Sequence, residues 1–99
     1  MIQAAFVYVA PKCSPEKQNV VLPGEELTLN VVGCSSYDEA ERIAIDLAGK
    51  GIDAIELCAG FGLEGVARIR KAVGPNLPVG VVRFDYHPAL GFKSGDELF

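Results

Sequence analysis

Between Gly51 and Gly65 the chain reads GIDAIELCAGFGLEG, a short β-favouring apolar run that breaks on glycines and opens an amphipathic segment. A strand that passes through a glycine turn into a helix leaves few folds open. The glycines permit a tight turn, the helix start presents backbone N–H groups without partners, and the strand end projects side chains at the carboxyl edge of a sheet. That edge is where α/β proteins hold their ligands. The side chains delivered there are Glu56 and Cys58.

The rest of the chain repeats this grammar. Residues 2–9 are rich in β-formers and end at Pro11, and residues 27–33 (LTLNVVG) form a second strand. Ser36-Tyr37-Asp38-Glu39 is a capping box, followed by Ala40, Ile43, Ala44, Leu47 and Ala48 on one helical face, with Gly49 and Gly51 as the stop. This predicts a helix over 37–49, a strand over 52–58, a second helix over 63–73 ended by Gly74-Pro75, and a strand over 79–85. The segment 11–26, with Pro11, Pro15, Pro23 and Gly24, reads as a long loop, and 88–99 as a tail without period in which Lys93 and Asp96 carry no pattern. The expectation is a single α/β domain over 1–99, with a small four-stranded, mostly parallel sheet and two helices packed mainly on one face.

Strand parity adds a second expectation. If strands 27–33, 52–58 and 79–85 lie side by side in that order, then Leu27, Leu29, Val31, Ile55, Leu57, Val82 and Phe84 face the helices. The opposite face carries Thr28, Asn30, Val32, Ala54, Glu56, Cys58, Val79, Val81, Arg83 and Asp85. Parallel sheets are ordinarily covered on both faces, and nothing in the chain is left to cover this mixed row. A homo-oligomer that closes a partly polar cavity is therefore predicted.

Composition narrows the partners. A net charge of −4 without any Lys/Arg cluster argues against nucleic acid and anionic membranes. No apolar run reaches membrane-span length, and the apolar N-terminus lacks the basic start of a leader. Three cysteines without a CxxC spacing make no disulfide framework and fit a reducing cytoplasm.

Within the mixed row, Glu56 is the sharpest residue, since a carboxylate inside a buried strand must be paired or used. Arg83 is its expected partner. The pair reads either as an ion pair that fixes strands or an interface, or as a site with Glu56 as general base and Arg83 as the grip on a small anionic ligand. Gly60-Phe61-Gly62, read as a Gly-x-Gly turn with no Walker lysine and not as a full dinucleotide fingerprint, serves either helix–sheet packing or an anion cradle. Cys58 beside a helix start is a candidate nucleophile. Asn30 and His87 complete the candidate ligand-binding set. Cys34, Cys58 and His87 share zinc-compatible chemistry without ligand spacing, so no metal site is assigned, and no cofactor is specified.

The blocks IELCAGFG (55–62) and VGVVRFD (79–85), with NVVGCSSYDEA before them, resemble a small bacterial family of short uncharacterised proteins, a domain of unknown function, over about residues 27–85. The resemblance implies a stand-alone bacterial cytoplasmic domain and no particular reaction. The functional expectation is a small-molecule domain or enzyme for an anionic metabolite at the strand carboxyl ends. A non-catalytic oligomerisation module is the alternative, with a metal or thiol sensor behind both.

Overall fold

The computed structural model describes all residues, Met1–Phe99, as a five-stranded sheet carrying two helices. The elements are β1 (Ile2–Val9), β2 (Asn19–Leu22), β3 (Leu27–Cys34), α1 (Tyr37–Gly49), β4 (Ala54–Leu57), α2 (Leu63–Val73) and β5 (Val79–Val81), with single 3₁₀ turns at Pro88–Leu90 and Gly95–Glu97. The strand order is β2-β3-β1-β4-β5, parallel throughout except for β2, which runs antiparallel to β3 at one edge. The α/β class, the two helices and the mostly parallel sheet agree with the sequence expectation.

Three features of the sheet differ from it. There is a fifth strand, because Val20, Val21 and Leu22 inside the presumed 11–26 loop pair with β3. The hairpin is tight enough that a side chain at Gly24 would overlap the Leu27 carbonyl. The order is not progressive either. β1 inserts between β3 and β4, so the connection through α1 passes over the central strand. Finally, β5 is three residues long and β4 four. β5 stops because β4 does: Val82 still donates its N–H to the Leu57 carbonyl (3.0 Å), and beyond Leu57 there is no neighbouring strand to pair with.

The inserted β1 also sets the parity. Ala5, Val7 and Val9 stand in register with Asn30, Val32 and Cys34 on β3, and Ala5 and Val7 with Ile55 and Leu57 on β4. Partners in register share a face. This row forms the core under the helices, with Tyr37, Ala40 and Ala44 of α1 and Ile69 of α2. Glu56 and its parity were placed correctly. The parities of β3 and β5 were not: Val32 and Cys34 face the helices and Leu29 and Val31 face away, while Val79 and Val81 align with Ile55 and Leu57. The cause is physical. Leu27, Leu29 and Val31 alternate with Thr28 and Asn30 and so mark the opposite side as core. On the helix side, however, Asn30 is satisfied by donating to the Ala4 carbonyl (3.1 Å), and Val32 and Cys34 supply the buried contacts there.

The helices follow their local signals. The Ser36 side chain accepts from Glu39 N–H (3.2 Å), and Glu39 reaches back to the N–H of Ser35 (2.9 Å), one residue before the cap. At the other end Gly51, with φ of 86°, supplies the left-handed residue, whereas Gly49 remains helical. α1 and α2 are tied by Arg68, which pairs with Asp38 and with Glu41 (2.6 Å) and lies over the Tyr37 ring.

Candidate functional site

α2 starts without a cap of its own. Gly62 occupies the N-cap position and has no side chain to offer the free N–H groups of the first turn. Asp96, in the tail, does this instead. Its Oδ2 accepts from Glu64 N–H (3.0 Å), and its Oδ1 accepts from Gly65 N–H (3.1 Å) and from the Tyr37 hydroxyl (2.8 Å). The Tyr37 oxygen accepts in turn from Gly62 N–H (2.9 Å). Burial opposes ionisation of Asp96, but these donors outweigh it and hold the carboxyl below its usual range. Burial, together with the neighbouring Asp96, pushes the Tyr37 hydroxyl well above its usual value and keeps it a donor.

Glycines make the contact possible. A side chain at Gly62 would overlap the Asp96 carboxylate, one at Gly65 the Tyr37 ring, and one at Gly95 the Gly60 carbonyl. The run continues one glycine beyond the Gly60-Phe61-Gly62 element, so GFGLEG has complete G-x-G-x-x-G spacing in the strand–turn–helix setting that such a fingerprint requires. The negative charge at this helix start comes from the chain itself, through Asp96. Tyr37, Gly65 and Asp96 were missed by sequence reasoning. The available signal was a helix beginning on glycine, which needs a capping group from elsewhere.

The expected site residues are dispersed. Glu56 is exposed, not buried, and points away from the helices, its side chain lying over Gly80 in the β4–β5 register. Arg83 pairs with Asp85 through Nε (2.8 Å) and Nη2 (3.2 Å), not with Glu56, because β5 ends before it. The Gly60–Gly62 amides are engaged internally. Gly60 N–H donates to Cys58 Sγ (3.2 Å), Phe61 N–H to the Cys58 carbonyl (3.1 Å), and Gly62 N–H to Tyr37. Phe61 is buried and stacks on Tyr37 at 5.6 Å. Asn30 lies on the helix side, opposite to its expected face, and donates to the Ala4 carbonyl (3.1 Å). His87 Nδ1 accepts from Ala89 N–H (3.1 Å) at the start of a 3₁₀ turn.

The cysteines also separate by environment. Cys34 is buried, its thiol donating to the Tyr8 carbonyl (3.3 Å), and burial pushes it up to about 12. Cys58 and Cys13 are half-buried, with Cys13 against the Tyr8 hydroxyl, which burial and that thiol raise above its ordinary value. Cys34, Cys58 and His87 do not converge, and no three His, Cys, Asp or Glu side chains form a metal-ligating group.

Two surfaces remain available for chemistry or recognition. One is the uncovered sheet face, with Phe6, Tyr8, Leu29 and Val31 half-buried and Val20 and Leu22 exposed. The other is a cleft of about 110 Å³ between the start of α2 and the chain leaving β5, with Phe61 and Gly62 in its wall and Arg83 on its rim. No helix is long and apolar enough to cross a membrane. No curated protein and no solved structure matches the chain. Residues 2–97 match a family of unknown function (DUF6506), and the chain belongs to that family.

Proposed function

We propose that this chain is a self-associating α/β module whose uncovered sheet face closes against a second copy. The observation that carries the proposal is the bare, apolar side of a mostly parallel sheet. Val20 (52 % exposed) and Leu22 (54 %) flank half-buried Phe6, Leu29 and Val31 with no layer of this chain above them, the turn at Cys13 reaching only Tyr8. Such sheets are otherwise covered on both sides, and open apolar faces of this kind mark interaction surfaces.

Relief favours a copy of the same chain as the occupant. The side chains on β2 and β3 are large, whereas β4 and β5 present Ala54 and Gly80, with Glu56, leaning over Gly80, as the one long side chain. A two-fold axis along β1 sets the raised half of one sheet over the low half of the other. At about 16 Å² of sheet per strand residue the face measures roughly 400 Å² in projection. Side-chain relief and exposed Ile2 and Leu27 at its margin carry this toward the about 800 Å² per partner of a standard interface. Glu56 leans over Gly80 toward the β5 edge, where its charge keeps contact with water, and Cys58 and Tyr8 become interfacial. A catalytic role for Glu56 and Cys58 would be exercised inside that assembly. Three free cysteines fit a reducing cytoplasm as its setting.

The test is size-exclusion chromatography with light scattering on the wild type and on Val20→Lys and Val31→Lys. The expected result is an assembled wild type and monomeric variants with unchanged circular dichroism. Variants that elute with the wild type refute the face as the interface.

A further inference from the structure

We propose that the cleft between α2 and the chain leaving β5 binds a small apolar α-amino acid, with Arg83 taking its carboxylate and Asp85 its ammonium. The cleft lies outside the carboxyl ends of β4 and β5, beside the first turn of α2, where α/β sheets hold ligands. Its walls are Phe61, Leu63, Val66, Val81, Val82 and Phe84, and Arg83 and Asp85 are the charged groups at its edge. Four of these apolar walls stay open to water: Leu63 (61 % exposed), Val82 (52 %), Val81 (47 %) and Phe84 (47 %). An apolar recess with a few converging polar groups is the usual form of a small-ligand site.

Size decides what enters. A cavity of about 150 Å³ holds benzene, so a recess of about 110 Å³ matches a branched four-carbon group. Charge decides what the group is attached to. Arg83 and Asp85 neutralise each other as a rim, which disfavours a bare anion and matches a zwitterion with both signs on one carbon. Their mutual bonds are solvent-exposed, 55 % and 62 % for the two side chains, and such pairs contribute little, so a ligand can exchange into them. Asp85 occupies Nε and Nη2, leaving Nη1 to donate to a carboxylate.

The experiment is a nitrogen–proton correlation titration of the full chain with L-leucine, with 4-methylpentanoate (no amine) and with isopentylamine (no carboxylate). Leucine is expected to shift the amides of Gly62, Leu63, Arg83 and Phe84 saturably, with each analogue about tenfold weaker, as loss of one charge-assisted contact implies. Arg83→Gln should weaken leucine by a similar factor. Leu63→Trp, which alters an exposed wall and fills the recess, should abolish binding with the thermal melt unchanged. The proposal is overturned by an absence of saturable shifts at the cleft, by 4-methylpentanoate binding as tightly as leucine, or by Leu63→Trp binding normally.

Discussion

The two faces of the sheet are built from similar residues and end in different surroundings. On one, Ala5, Val7, Ile55 and Leu57 are at most 1 % exposed beneath α1 and α2. On the other, Phe6, Leu29 and Val31 are only half-buried, Tyr8 is met by Cys13 alone, and Val20 and Leu22 stand about half open. A strand that faces water on one side needs apolar residues at alternate positions only. β1 from Ala4 to Val9 places them at every position, which is the composition of a strand buried on both sides. The difference between the faces therefore lies in what covers them, and the proposed second copy is what would supply the missing cover.

The largest expected effect is on the covered face. Leu57→Ala removes a fully buried side chain and should cost about 3 kcal/mol in urea unfolding, whereas Val31→Ala in dilute protein should cost about 1 kcal/mol or less. Equal losses in dilute protein would erase the asymmetry on which the account rests.

Next comes the strap that completes the covered side. Asp96→Ala leaves the first turn of α2 and the Tyr37 hydroxyl without their acceptor and should cost about 2 kcal/mol. The sign of the pH dependence follows from the lowered native value of Asp96. The folded chain binds fewer protons there than the unfolded one. The contribution is complete above about pH 4 and disappears as pH falls through the native value. Unfolding midpoints measured against pH should therefore drop at acid pH in the wild type and drop less in Asp96→Asn. Parallel acid limbs would contradict the capping role. Tyr37→Phe, which removes one donor and leaves the Phe61 stack, should cost about 1 kcal/mol.

Local chemistry explains what could be read in advance. α1 was legible because Ser36 and Glu39 lie within its first turn, and β4 because IELC is apolar at alternate positions. The neighbourhood of the open cleft was also legible, through Phe61, Gly62 and Arg83 at the carboxyl ends of the strands. The insertion of β1 was not, since pairing with β3 and β4 depends on contacts far apart in sequence. β2 was hidden by the prolines around it. Asp96 lies 32 residues from the N–H of Glu64 that it caps, and no spacing rule links them.

The smallest expected effect separates surface from core at one residue. Glu56→Gln should change the stability of dilute protein by less than about 0.5 kcal/mol, since the side chain is exposed and unpaired. It should still alter the assembly equilibrium if the face is an interface, and an unchanged equilibrium would place Glu56 outside it.

Sedimentation equilibrium of the wild-type chain over a wide concentration range decides whether two sheet faces close on each other. Closure gives a mass twice that of the 10.5 kDa chain, falling to the single-chain value on dilution. A single-chain mass at every concentration would contradict it.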